Sequence, residues 1–209
     1  VDFVPTDTHK AVRKKVREFA EKEIEPIAAR LDTEDFNWDL QRKLAKEGFM
    51  GFHVPKELGG QGMDMVSYCI MLEELGRVQG GVGLYVEAHN SLAIGHILTH
   101  GTKEQQKRYI PDLASGKYMG AWALTEPSAG SDAGGTQTIA IPEGDEWVLN
   151  GMKCFITSGN VAQISVIMAL TDKGIGSKGV SAFIVEKGTK GFSIGSIEDK
   201  LGMRASSTC

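Results

Sequence analysis

Cysteine is scarce in this 209-residue chain. The three present, Cys69, Cys154 and Cys209, are odd in number, far apart and not in paired CxxC spacing, so they read as reduced thiols in a reducing compartment rather than as a disulfide framework. Long apolar runs are also lacking. None approaches the roughly 20 residues that cross a bilayer, so no membrane span and no integral membrane association is expected. There is no basic excess either: the formal net charge is −4, which leaves no global field to gather phosphates and argues against nucleic acid as a partner. The opening residues VDFVPTDTHK lack a basic segment followed by an apolar one, so no secretory signal is visible, although a removed organelle transit peptide would leave no trace. No internal repeat or low-complexity tract is found. The remainder is ordinary globular material, 41% hydrophobic and 24% charged, long enough to bury a sizeable core as one large domain or two small ones.

Apolar residues return every three or four positions between Thr6 and Leu31, at Val12, Val16, Phe19, Ala20, Ile24, Ile27 and Leu31, predicting a long amphipathic helix kinked at Pro26. A shorter helix is expected from Asp39 to Glu47, closed by Gly48, with a glycine-rich loop over 54–64. Helices from Met65 to Arg77 and from Val82 to His100 follow, the second stopped by Gly101. Thr102 then opens another, with Gln105 at capping-box spacing, and it runs to Ser115 through Pro111. After Lys117 the runs YMGAWAL, WVLNGMKCFI, ISVIMAL, VSAFIVE and FSIGSI, separated by turn residues, read as strands. The expected fold class is α+β: an all-α helical domain over 1–117, then an all-β middle domain over 118–209.

Two stretches carry candidate chemistry. The first, Ala123 to Asp132, leaves a predicted strand as a loop of Gly and small hydroxyl residues, which lets backbone N–H groups approach an anion while hydroxyls donate to a phosphate or heterocycle. The same composition also makes a surface turn with Asx and Ser caps. The second, Cys154 to Gly159, reads as a strand end on which Phe155 and Thr157 share a face and so meet a planar ring together. Read alone, it is more simply an ordinary half-buried strand end.

Together they are more specific. Ala-Leu-Thr-Glu-Pro-x-Ala-Gly-Ser-Asp-x-x-Gly from Ala123, followed by Asn-Gly-x-Lys-x-Phe-Ile-Thr-x-Gly from Asn150, closely resembles the signature of acyl-CoA dehydrogenases. The resemblance extends along the chain through Val-Pro-Lys-Glu-Leu-Gly-Gly-Gln-Gly at 54–62, Glu-Glu-Leu-Gly-Arg at 73–77, Gly-Thr-Lys-Glu-Gln-Gln-Lys at 101–107 and Lys-Leu-Gly-Met-Arg-Ala-Ser-Ser-Thr at 200–208. In style it is nearest the short-chain and bacterial butyryl-type branch.

The resemblance implies an N-terminal helical domain, a middle β domain and a C-terminal four-helix bundle, the last missing from this chain, with FAD held between domains and subunits. It places Trp122, Ala123, Leu124 and Thr125 along the flavin pyrimidine edge, with Thr125 donating a hydrogen bond. Gly130 and Ser131 would meet the FAD pyrophosphate region, and Ser131 also the acyl-CoA substrate. Phe155 and Ile156 would lie against the isoalloxazine, with Thr157 near its N5 edge. Many relatives carry Trp at the position of Phe155 and Gly at that of Ser128. In the family a C-terminal glutamate takes the α-proton of the thioester while the β-hydrogen leaves as hydride; no residue of this chain matches it, so no catalytic residue is assigned and the 209-residue piece is expected to be inactive. The implied partners are an electron-transferring flavoprotein and further copies of the chain, as a homo-oligomer of tetramer type. The implied compartment is bacterial cytoplasm or mitochondrial matrix. Competing readings are an acyl-CoA oxidase or flavin monooxygenase of the same fold, and a non-catalytic flavin-binding or interaction protein.

Other polar residues carry less. His96 and His100 stand at zinc-ligating spacing, but no third ligand is evident, so no metal is assigned and both read as surface or capping histidines. Glu73 and Glu74 read as a solvated helix face, and Gly80, Gly81 and Gly83 as the approach to a helix. Glu126 and Asp132 are expected to hold their loop by accepting backbone hydrogen bonds.

Overall fold

The computed structural model describes residues 4–209. Thr6 opens α1 (Asp7–Phe19): its hydroxyl accepts the His9 N–H, and the His9 ring accepts the Thr6 N–H in return. The expected long helix is continuous in path but not in pitch. A wider π turn at Ala20–Ile24 and a tight 3-10 turn at Glu25–Ile27 precede α2 (Ala28–Leu31). Pro26 supplies no N–H, so the hydrogen-bond ladder changes step there. α3 (Trp38–Lys46) follows, and Gly48 adopts a φ of 79° beyond its end, a conformation open to glycine at little steric cost. α4 (Met65–Val78) and α5 (Gly80–Glu87) come next, and α5 runs through a π turn at Ala88–Ile94 into α6 (Gly95–His100). α7 (Lys103–Ala114) begins at the Thr102–Gln105 capping box and carries Pro111 inside.

The sheet contains β1 (Gly120–Ala123), β2 (Ile139–Glu143), β3 (Glu146–Asn150), β4 (Ile164–Leu170) and β5 (Val180–Glu186). β4 is central, which explains why it is apolar throughout except for the buried Ser165. Along one edge it pairs in parallel with β1, from Gly120↔Ile164 to Ala123↔Ile167, and then with β2 at Ile139↔Leu170; β5 lies antiparallel on the other edge. The chain leaves that edge at Ala123 and rejoins it at Ile139, so everything between is looped out beside the sheet.

Two strand expectations need correction, and one strand is new. β2 was not read from the sequence. The run WVLNGMKCFI is a strand only to Asn150, because Gly151 and the turn behind Cys154 end the ladder. FSIGSI, 192–197, is irregular: its residues find no strand edge, and Ile194 and Ile197 are exposed. Alternating apolar residues make a strand only where a neighbouring edge supplies hydrogen bonds.

Both core clusters mix helix and sheet. One joins Val16, Leu75 and Val86 to Ala121, Ala123 and Ile167, and the other joins Ile94, Ile97 and Leu113 to Ile164 and Val166. Gly81 and Gly83 lie within α5 rather than on its approach, and they serve close packing. A Cβ on Gly83 would come 3.1 Å from the Cα of Gly76 in α4, and one on Gly81 would come 2.9 Å from the Cβ of Ala205.

Glu73 is exposed, but Glu74 is not part of a solvated face: it is 1% exposed and turned onto α1. There it accepts from Arg13 Nη1 at 2.6 Å and from Arg17 Nε and Nη2 at 2.8 and 2.9 Å. Arg77 Nε lies at 3.4 Å. Adjacent helical residues point about 100° apart, so one of a Glu-Glu pair can face inward while the other faces water. The Arg17 hydrogen bonds lead in holding the Glu74 carboxyl below its ordinary range, against the opposing effect of burial. Glu74→Gln should cost about 1.5–3 kcal/mol in chemical denaturation at neutral pH, the range for lost hydrogen bonds to a charged group. The fuller cost of a buried pair is not expected, because Arg13, Arg17 and Arg77 keep 35%, 46% and 45% of their side chains in water. A change under about 0.5 kcal/mol would show that the cluster does not staple α1 to α4.

Candidate functional site

The looped-out segment after β1 is built around one carboxylate. Glu126 and Ala129 exchange backbone hydrogen bonds of 3.0 and 3.1 Å across the Pro127–Ser128 turn. The Glu126 side chain is buried and accepts the N–H groups of Gln137 and Thr138 at 2.7 and 3.0 Å, so it closes the loop on itself. Lys153, its side chain 9% exposed, places Nζ 2.7 Å from Glu126 Oε1 and 2.9 Å from the Leu124 carbonyl. The Cys154 N–H donates to the Thr125 carbonyl at 2.9 Å. Three contacts thus tie the two signature stretches together, and Lys153 is the residue whose role the sequence reading missed. A lysine set between Met152 and Cys154, inside an otherwise apolar run, was the available signal.

Burial by itself would raise the Glu126 carboxyl, but the hydrogen bonds from Lys153, Thr138 and Gln137 outweigh it and hold the group down at about 2. The expectation that Glu126 holds its loop therefore stands, and its charge is turned inward and neutralised. Asp132 differs. It is exposed, its side chain makes no capping bond, and its carbonyl accepts from the Gly135 N–H at 3.0 Å.

Residues 154–159 are not a strand end. Phe155 and Ser158 have φ of 58° and 61°, in the left-handed region, so Phe155 and Thr157 do not share a face by strand alternation. The segment is held instead by the end of the chain. Ile156 and Cys209 exchange backbone hydrogen bonds of 2.7 and 3.1 Å, and the Ser158 N–H donates to the Ser207 carbonyl at 2.7 Å. Phe155 is left 64% exposed above a buried Ile156, with Thr157 half-buried beside them.

The structure brings Leu124 and Thr125 against Lys153 and Cys154 but leaves Gly130 and Ser131 on the exposed limb of the loop, with no hydrogen bond to 154–157. The Trp122 ring turns the other way. It packs toward α6, stacked on His96 at 4.9 Å between ring centroids, with its buried Nε1 lacking a partner among the described residues. His96 is therefore a packed residue rather than a surface one, whereas His100 is exposed.

The hydroxyls of Thr125, Ser131 and Thr157 likewise have no hydrogen-bond partner among the described residues, and all three are at least partly open to solvent. A Cβ on Gly130 would meet nothing within 4 Å. Partnerless donors, an open loop and an exposed aromatic ring fit a flavin nucleotide, and the inward-turned Glu126 does not repel its phosphates.

Known proteins share the fold and the sequence. The chain matches the family model described as acyl-CoA dehydrogenase, N-terminal domain, over residues 6–117, and that described as acyl-CoA dehydrogenase, middle domain, over 121–209. The chain belongs to the acyl-CoA dehydrogenase family. Over its whole length it is 52% identical to a short-chain specific acyl-CoA dehydrogenase of Clostridium acetobutylicum, of which it covers 55%. Among solved structures it superposes on a chain from a study of the electron transferring flavoprotein of Acidaminococcus fermentans, with TM-score 0.95 and 42% identity, covering 100% of this chain and 55% of that one. It superposes also on an acyl-CoA dehydrogenase complexed with FAD from Bacillus anthracis, with TM-score 0.90 and 36% identity, covering 97% of this chain and 35% of that one. The chain thus spans about half the length of the curated relatives it matches.

Lys153→Met would leave the Glu126 carboxylate buried without its cation. A loss of about 3–5 kcal/mol at pH 7 is expected from denaturation. Because the folded Glu126 carboxyl lies near 2, its contribution is complete above about 4.5 and declines as pH falls toward 2. The difference between variant and parent should therefore narrow at pH 4, where the unpaired carboxyl takes a proton. A difference independent of pH would show that the ion pair is not its source.

Proposed function

We propose that this chain is the helical and middle part of an FAD-dependent acyl-CoA dehydrogenase that converts short-chain acyl-CoA thioesters to trans-2-enoyl-CoA and passes electrons to an electron-transferring flavoprotein. The observation that carries the reading is the junction of the two signature stretches by Lys153 and Cys154, which seats Thr125 beside the turn that bears the exposed Phe155, while the hydroxyls of Thr125, Ser131 and Thr157 have no hydrogen-bond partner among the described residues. When bound, FAD supplies the hydride acceptor. The chain's own residues bind and orient: Leu124 and Thr125 hold the pyrimidine edge, Gly130 and Ser131 the pyrophosphate and the thioester, and Phe155, Ile156 and Thr157 the ring and its N5 edge. Trp122 and Ala123 support that edge from β1. The units are 1–117 and 118–209, and assembly as a tetramer in a reducing compartment goes with the same reading. No helix among the described residues is long and apolar enough to cross a membrane.

The α-proton acceptor is not among these residues. Glu126, the carboxylate tied to the site, is held ionised near 2 by Lys153 and two backbone donors, too weak a base and already fully engaged.

A longer protein containing this chain should purify yellow, and Thr157→Val, which removes a donor while keeping the shape, should lower the flavin midpoint potential and slow reduction by acyl-CoA. The expected effect is about 1.5–3 kcal/mol. A colourless protein after refolding with FAD would refute the cofactor, and an unchanged potential would refute the role of Thr157.

The 209-residue chain, given FAD, a short-chain acyl-CoA and an artificial acceptor, should show no turnover, because losing the general base alone costs about 10²–10⁴ in rate. Turnover within about tenfold of the longer protein would place the base within these residues. Oxygen consumption by the longer protein in place of acceptor reduction would favour an oxidase.

A further inference from the structure

We propose that His89, with His96 one helical stretch further on, is a positioning residue for the reaction: the ring sets where β1 starts against the helical layer, and β1 carries that setting to Leu124 and Thr125. The inference rests on the FAD reading above. His89 is 0% exposed and lies in the π turn between α5 and α6. Its Nδ1 is 3.0 Å from the Gly120 nitrogen, and its Nε2 is 3.1 Å from the Leu113 carbonyl. A backbone N–H only donates and a carbonyl only accepts. The ring is therefore the tautomer with its proton on Nε2, donating to Leu113 and accepting from Gly120. Leu113 is in the last turn of α7 and Gly120 opens β1, so one ring spans both ends of the connection between helical layer and sheet. Burial pushes the His89 imidazole down to about 4, so both hydrogen bonds persist at neutral pH.

There is little slack for β1 to sit elsewhere. A Cβ on Gly120 would come within 2.6 Å of the Ala93 Cβ on the same π turn. Two residues along the strand, the Trp122 ring stacks on His96, so one helix holds β1 at two points. β1 spans only Gly120–Ala123 before the chain reaches the carbonyls of Leu124 and Thr125, which Lys153 and Cys154 grip. A short extended segment transmits a displacement at its start rather than absorbing it. A histidine serving stability alone would have no effect on flavin chemistry beyond its effect on folding.

The test uses the full-length flavin-loaded protein and two variants that divide the ring's bonds. In His89→Asn the amide oxygen comes where Nδ1 stands, keeping the acceptor for Gly120 and giving up Leu113. In His89→Gln the amide nitrogen reaches the place of Nε2, keeping Leu113 and giving up Gly120. Thermal stability, flavin midpoint potential and the rate of flavin reduction by acyl-CoA are measured for each. Both variants should melt lower. Only His89→Gln should shift the potential and slow reduction by about tenfold or more, the scale expected when a distant change misplaces reacting groups, while His89→Asn stays within about twofold of the parent. Equal potentials and rates in both variants, or losses that follow melting temperature alone, would overturn the proposal. If His89→Gln does not fold, His96→Leu carries the test by removing the second hold on β1, and an unshifted potential there overturns it equally. A parent that takes up no flavin overturns the FAD reading along with this inference, whereas a flavin-loaded parent whose variants do not divide overturns this inference alone.

Discussion

A carboxylate taken out of water must be met by donors on nearly every lone pair, or the chain will refold around it to let water back in. Glu126 is met by two backbone N–H groups from its own loop and by the ammonium of Lys153, which arrives from the second signature stretch and also holds the Leu124 carbonyl. The segment from Leu124 to Thr138 has no ladder of its own, because it leaves β4 at Ala123 and returns at Ile139. Without Glu126 and Lys153 it would be a long flexible connection. With them it is a shaped rim that leaves Thr125 half-buried and Ser131 exposed, while Thr136 and Thr138 are buried.

The helical layer contributes through contact rather than through charge. The helix from Gly80 to His100 touches α4 through Gly83, residue 205 through Gly81, the start of β1 through His89 and Ala93, and Trp122 of that strand through His96. Asn90 adds to this by donating to the carbonyls of Phe49 and Val86 and accepting the Phe52 N–H. His89 and His96, seven residues apart and so about two turns along one helix, address β1 from different levels, at Gly120 and at Trp122.

The helices were legible because they repeat a physical period and carry their own caps. Thr102 and Gln105 form the predicted box, and Gly48 takes the predicted left-handed conformation. The motifs were legible as chemistry, since Ser, Thr and Gly in a loop can serve a nucleotide whatever backbone carries them. Burial of polar residues was not legible. Glu74 and His89 each lie in a sequence context that suits a solvated face, and only the crossing of α1 over α4, or of the π turn over β1, turns them inward. The strand reading of 154–159 failed for a related reason. Cys154, Phe155 and Ile156 have the propensity of a strand, yet partners at 207–209 impose another path, and no local rule refers to residues so far along the chain.

That path has an energetic consequence. Phe155 and Ser158 sit at left-handed φ, where a non-glycine residue costs of order 1–3 kcal/mol each and persists only if its surroundings over-determine it. The backbone hydrogen bonds from Ile156, Ser158 and Cys209 supply that constraint. The segment that provides them is itself anchored: Lys200 donates to the Ser206 carbonyl at 2.6 Å and to the Thr208 hydroxyl at 3.0 Å, while Arg204 donates to the Asp32 carbonyl at 2.7 Å, at the end of α2. Ala205 packs against Gly81, where any larger residue than glycine would push the segment away. The outward display of Phe155 is thus determined from residues 32, 81 and 200–209 together, and the exposed ring proposed to meet the flavin is the outcome of a strained turn held from behind.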